Sequence, residues 1–80
     1  MFGFLVTASG RVLKYKFEQL GIIQGKTLAE ITAVVGLPNS ISAISEGKIL
    51  RQWQATGYHI ALLFDSNDIC EGITHVSRQI

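Results

Sequence analysis

The chain reads as an α+β domain: two short N-terminal helices packed on a three- or four-stranded antiparallel meander sheet. Three observations predict this. Thr27, with Glu30 three residues later, forms the pattern of a capping box, in which each side chain takes up an unpaired backbone donor near the other, and Gly36 and Pro38 stop the same helix. From Ser40 onward, short alternating apolar and polar runs are separated by turn residues at hairpin spacing. The chain has 80 residues and one cysteine, enough for one domain and too few cysteines for an internal disulfide.

In chain order, residues 1–12 read as a tail ahead of a single domain over 13–80. The run from Met1 to Val6 is apolar but too short to span a bilayer, which takes about 20 apolar residues. It also lacks the basic start of a signal peptide. Arg11, Lys14 and Lys16 follow it, as basic residues follow the cytoplasmic edge of a membrane helix. Two readings stay open: the end of a membrane anchor whose greater part lies upstream of Met1, and an N-terminal strand or frayed tail.

The next stretch carries two periods. Leu13, Tyr15 and Phe17 alternate with Lys14, Lys16 and Glu18, as in a half-exposed strand. Leu13, Phe17 and Leu20 also fall at i, i+4 and i+7, as on one helix face. A short helix over residues 15–20, ended near Gly21, is predicted.

The helix that Thr27 caps starts at Leu28. Its stop predicts a left-handed Gly36, with Leu37 folded back onto Ile31 and Pro38 preventing continuation. So short a helix is marginal alone, because isolated helices need roughly 12 residues or more. Its Leu28, Ile31, Val34 and Val35 face must therefore dock on the sheet that follows.

That sheet is read as strands over 40–45, 49–55, 58–64 and 69–76. The turns between them fall at Glu46-Gly47-Lys48, at Thr56-Gly57 and over residues 65–68. Running 49–64 together as one strand would give a length above about 50 Å, against a domain diameter of roughly 30 Å. The third strand puts Tyr58, Ile60, Leu62 and Phe64 on one face, which predicts a central strand buried on that side. Gly72 inside the fourth predicts a bulge or a close backbone approach.

Composition excludes several function classes. With 48% hydrophobic residues and a net charge of +1, the chain is neither disordered nor electrostatically suited to nucleic acid. Cys70, His59 and His75 are its only soft metal ligands. Cys70 and His75 should point to opposite faces of a strand unless Gly72 bulges, so no metal site is expected. Asp65, Asp68 and Glu71 cluster at a turn, where Asp serves turn geometry by itself. Gly25-Lys26-Thr27 lacks the glycine that a phosphate loop carries five residues before its Gly-Lys pair, since position 20 is leucine. No catalytic residues and no cofactor are expected.

The remaining candidates are surfaces. Arg51, Trp53 and Tyr58 bracket one hairpin and are of the residue types that most often anchor protein interfaces, although Trp53 also suits the core. An open sheet edge offers a second route, to a partner or to a homodimer.

Taken together, Gly25, Lys26, Thr27, Glu30, Ile31, Gly36, Pro38, Trp53, Phe64 and Asp65 follow the G-x-T-x-x-E-V, L-G-x-P, W, F pattern over residues 17–76. The chain thus resembles the SmpA/OmlA-like small domain of the BamE outer-membrane assembly lipoproteins, and more loosely each half of the beta-lactamase inhibitor protein. The resemblance implies two helices on a meander, with Gly25 and Thr27 at the start of a helix, Gly36 and Pro38 at its end, and Trp53 and Phe64 facing the helices. It implies a non-catalytic protein-interaction module, membrane-tethered or envelope-associated. The lipidated N-terminal cysteine of those lipoproteins has no counterpart here, which argues against an outer-membrane role; Arg11, Lys14 and Lys16 with the lone Cys70 favour a cytoplasmic or cytoplasm-facing location, with the cell envelope as the alternative. The other functional reading is a small-ligand or metal-binding domain using the turn carboxylates or the histidines.

Overall fold

The computed structural model describes residues 9–78. Two helices, α1 (Gly10–Leu20) and α2 (Leu28–Val35), precede four strands, β1 (Ser40–Ala43), β2 (Ile49–Ala55), β3 (Tyr58–Phe64) and β4 (Cys70–Arg78). The strands form one antiparallel sheet in the order β1-β2-β3-β4. The fold is therefore α+β with helices ahead of a meander. No helix among the described residues is long and apolar enough to cross a membrane. Of the tail expected over 1–12, residues 10–12 instead belong to α1 and Ser9 caps it; the anchor reading and the rest of the tail fall on 1–8, outside the described residues.

Helix α1 starts at Gly10, five residues ahead of the expected start. Ser9 is its cap, accepting a hydrogen bond from the Val12 amide at 3.2 Å. Leu13 and Phe17 are buried and Leu20 packs against them, so the helical period prevails over the alternating one. Tyr15, which the strand reading placed with them, is 61% exposed. Arg11 and Lys16 are exposed helix-surface charges, and Lys14 pairs with Glu18 at 3.4 Å.

Helix α2 is bounded as expected. The Glu30 amide donates to Thr27 Oγ1 at 3.1 Å and the Thr27 amide donates to Glu30 Oε1 at 2.8 Å, completing the capping box. These bonds from Thr27 hold the Glu30 carboxyl below its ordinary value. A depressed folded-state pKa means that the pair's contribution is present above the ordinary glutamate range and is lost as pH falls through the folded value.

The far end of α2 differs from expectation. Gly36 has φ 84° and ψ −176°, an extended mirror-image conformation essentially restricted to glycine rather than the left-handed helical one. Leu37 is 83% exposed, so it does not fold back onto Ile31. Here the Gly36 carbonyl accepts a hydrogen bond from Trp53 Nε1 at 2.9 Å. Of the predicted apolar face, Ile31 and Val35 are buried and Leu28 is partly buried, while Val34 is exposed. Thr27→Ala is expected to cost about 1 kcal/mol through loss of the cap. Gly36→Val should cost more, because a branched side chain is strained at that φ. Thermal melts of both variants check the assignment.

The core lies between the helices and one face of the sheet. That face carries Trp53 opposite Ile60, and Leu62, Phe64 and Cys70 beyond them, all buried. Phe17 meets the Trp53 ring edge-on, with centroids 5.5 Å apart and planes at 79°. In β4 the expected bulge is present beside Gly72, with Glu71 as its unpaired residue, and Thr74 makes a second: Leu63 pairs with Gly72, Phe64 with Cys70, Ala61 with His75 and Leu62 with Ile73. The two insertions cancel, so Cys70 faces the helices and His75 the opposite side, as the uninterrupted spacing predicts.

Candidate functional site

The three residues expected as interface anchors all turn inward. Trp53 is 1%, Tyr58 6% and Arg51 7% exposed. Trp53 spans from Phe17 to the end of α2, and Tyr58 lies beside Phe17 at a ring separation of 6.2 Å. Their aromatic surface is used within the chain. A small sheet with helices on one face has few places for a large ring except between the two layers.

Arg51 is buried by a different route. Its position on β2 opposite Leu62 aims the side chain at the helix face. The guanidinium lies over the Phe64 ring at 4.8 Å, and Nη2 donates to Asp68 Oδ1 at 3.3 Å. Nη1 is buried and has no partner among the described residues. The Asp68 side chain is 52% exposed, so this ion pair is buried on one side and open to water on the other.

Arg51 lines a groove of about 390 Å³ that also takes in Leu28 from the first turn of α2, Leu37 and Pro38 from the connector, Ile41 from β1, and Asp68 from the β3–β4 turn. Its walls are mainly apolar. Leu37 and Ile41 are exposed along it, and Ile44 is exposed just past the end of β1. Of these groove residues only Arg51 is an interface candidate from the sequence; Leu28, Leu37, Pro38 and Asp68 stand out there for helix docking, the helix stop and the turn, and Ile41 does not stand out. The legible signal was that residues 39–45 contain no charged side chain.

The two sheet edges differ in kind. The start of β4 is covered by the α1–α2 connector: the Cys70 amide donates to Lys26 O at 2.8 Å, the Gly25 amide donates to Cys70 O at 2.8 Å, and Thr27 bridges Ile69. Farther along, β4 carries two bulges, Glu71 and Arg78. Bulges, charges and shortness are the usual devices against edge pairing. Strand β1, four residues long, has neither bulge nor charge. Its four residues pair with β2 without a register shift, and all four are exposed.

The turn carboxylates each have a structural task. Asp65 Oδ1 accepts from the amides of Asn67 and Ile69 at 2.8 and 3.0 Å, closing the β3–β4 turn. Glu71 accepts two hydrogen bonds from Lys48 Nζ at 2.6 and 2.7 Å. Asp68 pairs with Arg51. His59 and His75 approach each other on the open face of the sheet, with ring centroids 5.4 Å apart, and His59 Nε2 is 2.7 Å from Gln52 Oε1. Two imidazoles are fewer ligands than a protein zinc site uses. No group of three or more candidate metal ligands occurs among the described residues.

Cys70 is a free cysteine, 1% exposed, and burial pushes its thiol above the ordinary value. A buried, protonated thiol is a poor nucleophile. Cys70 is thus expected to react slowly with a thiol reagent in the native state and quickly in urea. A cysteine placed at Ser66, in the exposed turn, should react quickly in both.

Comparison with models of known protein families, with characterised proteins and with solved structures finds no match.

Proposed function

We propose that the chain is a non-catalytic protein-interaction module of SmpA/OmlA-like build, which engages its partner along the β1 edge and the groove beside it. The observation that carries this reading is the asymmetry of the sheet. One edge is paired, bulged and charged, while the other is uncharged and flanked by exposed Leu37, Ile41 and Ile44. An unguarded edge of this kind can accept an added strand, whose backbone supplies hydrogen bonds while alternate side chains enter adjacent pockets. The order of two helices before a meander agrees with the build that the residue pattern implies.

The test compares the two edges. Ile41→Lys places a charge on β1, and Ile73→Lys places one on β4; both positions are exposed, where substitutions usually change stability by no more than about 0.5 kcal/mol. A protein retained from a lysate by the parent chain should be lost with Ile41→Lys and kept with Ile73→Lys. Self-association through the same edge would appear as a concentration-dependent mass in light scattering that Ile41→Lys abolishes. Retention that survives Ile41→Lys contradicts the proposal.

A further inference from the structure

We infer that the groove between α2 and β1 receives an extended segment of a partner protein, which sets an apolar side chain against Leu28, Pro38 and Ile41 and places one carboxylate on the guanidinium of Arg51. The inference rests on the interaction-module reading and adds the chemistry of the segment that is recognised.

A guanidinium has five N–H donors in a planar fork suited to a carboxylate. Here one side of the fork holds Asp68 through a single 3.3 Å contact, and Nη1, on a side chain 9% exposed, has no partner among the described residues. Burying an arginine in this half-satisfied state is costly, and an apolar residue at the same place would commonly serve stability as well or better. A structural role over Phe64 therefore leaves the spare donor capacity unexplained. Once Asp68 swings away, a ligand carboxylate entering from the groove would use it.

The groove supplies the rest. Among the described residues, Arg51 is the only cationic one lining it. Its one competitor for the guanidinium, the Asp68 carboxylate, is 52% exposed and so can swing into water at little cost. The apolar wall of Leu28, Pro38 and Ile41 lies in the same groove, and the unguarded backbone of β1 runs beside it. A segment that mixes apolar residues with one Asp or Glu meets all three features.

A phage-displayed library of random twelve-residue peptides, selected on the parent chain and on its variants, tests this. Peptides enriched on the parent and lost on Ile41→Lys should carry an Asp or Glu beside apolar residues. Replacing that acid by its amide should weaken binding about tenfold, the usual effect of one lost charge-assisted contact. The decisive variant is Asp68→Asn, which removes the competing carboxylate and suits the left-handed φ of 60° at that position. It should tighten binding of the acidic peptides several-fold, a gain that damage to the fold would not produce. Arg51→Gln should abolish the acid preference.

Enriched peptides with no acidic bias, or acidic peptides indifferent to Asp68→Asn, would overturn the inference while leaving the β1 edge as the interaction surface. If no peptide distinguished the parent from Ile41→Lys, both readings would fall.

Discussion

Trp53→Ala is expected to destabilise the domain by about 3–5 kcal/mol, the range for removing a large aromatic from a packed core. Trp53 is 1% exposed, edge-on to Phe17, and hydrogen-bonded to the Gly36 carbonyl. The substitution removes filled volume under both helices and strips the partner from the Gly36 carbonyl just past α2. Stabilities of small domains run at roughly 0.05–0.15 kcal/mol per residue, so a loss of this size takes a large share of the total. Urea titration followed by far-UV circular dichroism should place the midpoint far below that of the parent. Trp53→Phe keeps most of the ring and loses the indole N–H, and should cost about 1–3 kcal/mol for the unpaired carbonyl. If Trp53→Ala instead unfolded like the parent and lost only partner binding, Trp53 would be an interface residue.

Gly10→Ala is the second large effect. A Cβ at Gly10 would stand 2.0 Å from the Thr56 carbonyl oxygen and 3.0 Å from Tyr58 Cβ. The obstacle is backbone, so no change of rotamer relieves it, and α1 must shift off the β2–β3 turn that Ser9 bridges at Thr56. Overpacking usually costs about 1–3 kcal/mol, and alanine's better helix propensity returns at most about 1 kcal/mol. The net loss should be about 2 kcal/mol, which in a domain of this size lowers Tm by roughly 8–16 °C. Gly21→Ala is the control: nothing lies within 4 Å of its Cβ position, and only its φ of 69° opposes the change. A Gly10→Ala melt no lower than that of Gly21→Ala would mean that α1 does not pack on the turn as described.

The contrast between these two residues shows what the sequence made legible. Local signals placed α2, β2 and β3 at their observed bounds, because a capping box, Gly36-Leu37-Pro38, Glu46-Gly47 and Thr56-Gly57 act over a few residues. The start of α1 was missed because Ser9-Gly10 looks like a small polar tail. Ser9 is a sound cap, but position 12 is valine, so the acidic half of a capping box is absent. The close approach of Gly10 to Thr56 is tertiary and has no local mark. Arg51 was singled out for its type and not for its surroundings. Its burial depends on Phe64 and Asp68, which reach it only after the meander has folded. The groove combines α2, the α2–β1 connector, β1, β2 and the β3–β4 turn, and only the uncharged run over 39–45 hinted at it.

The most direct measurement of the central claim is amide hydrogen exchange across both sheet edges, with and without a peptide selected for loss of binding to Ile41→Lys. In the free protein the outward amides of β1 (Ser40–Ala43) should exchange fast, since the strand is exposed and unpaired on its outer side. With the peptide bound, exchange should slow over β1 and leave β4 (Cys70–Arg78) as it was. Slowed exchange over β4 or over the face carrying His59 and His75, with β1 unchanged, would contradict an interaction surface at the β1 edge.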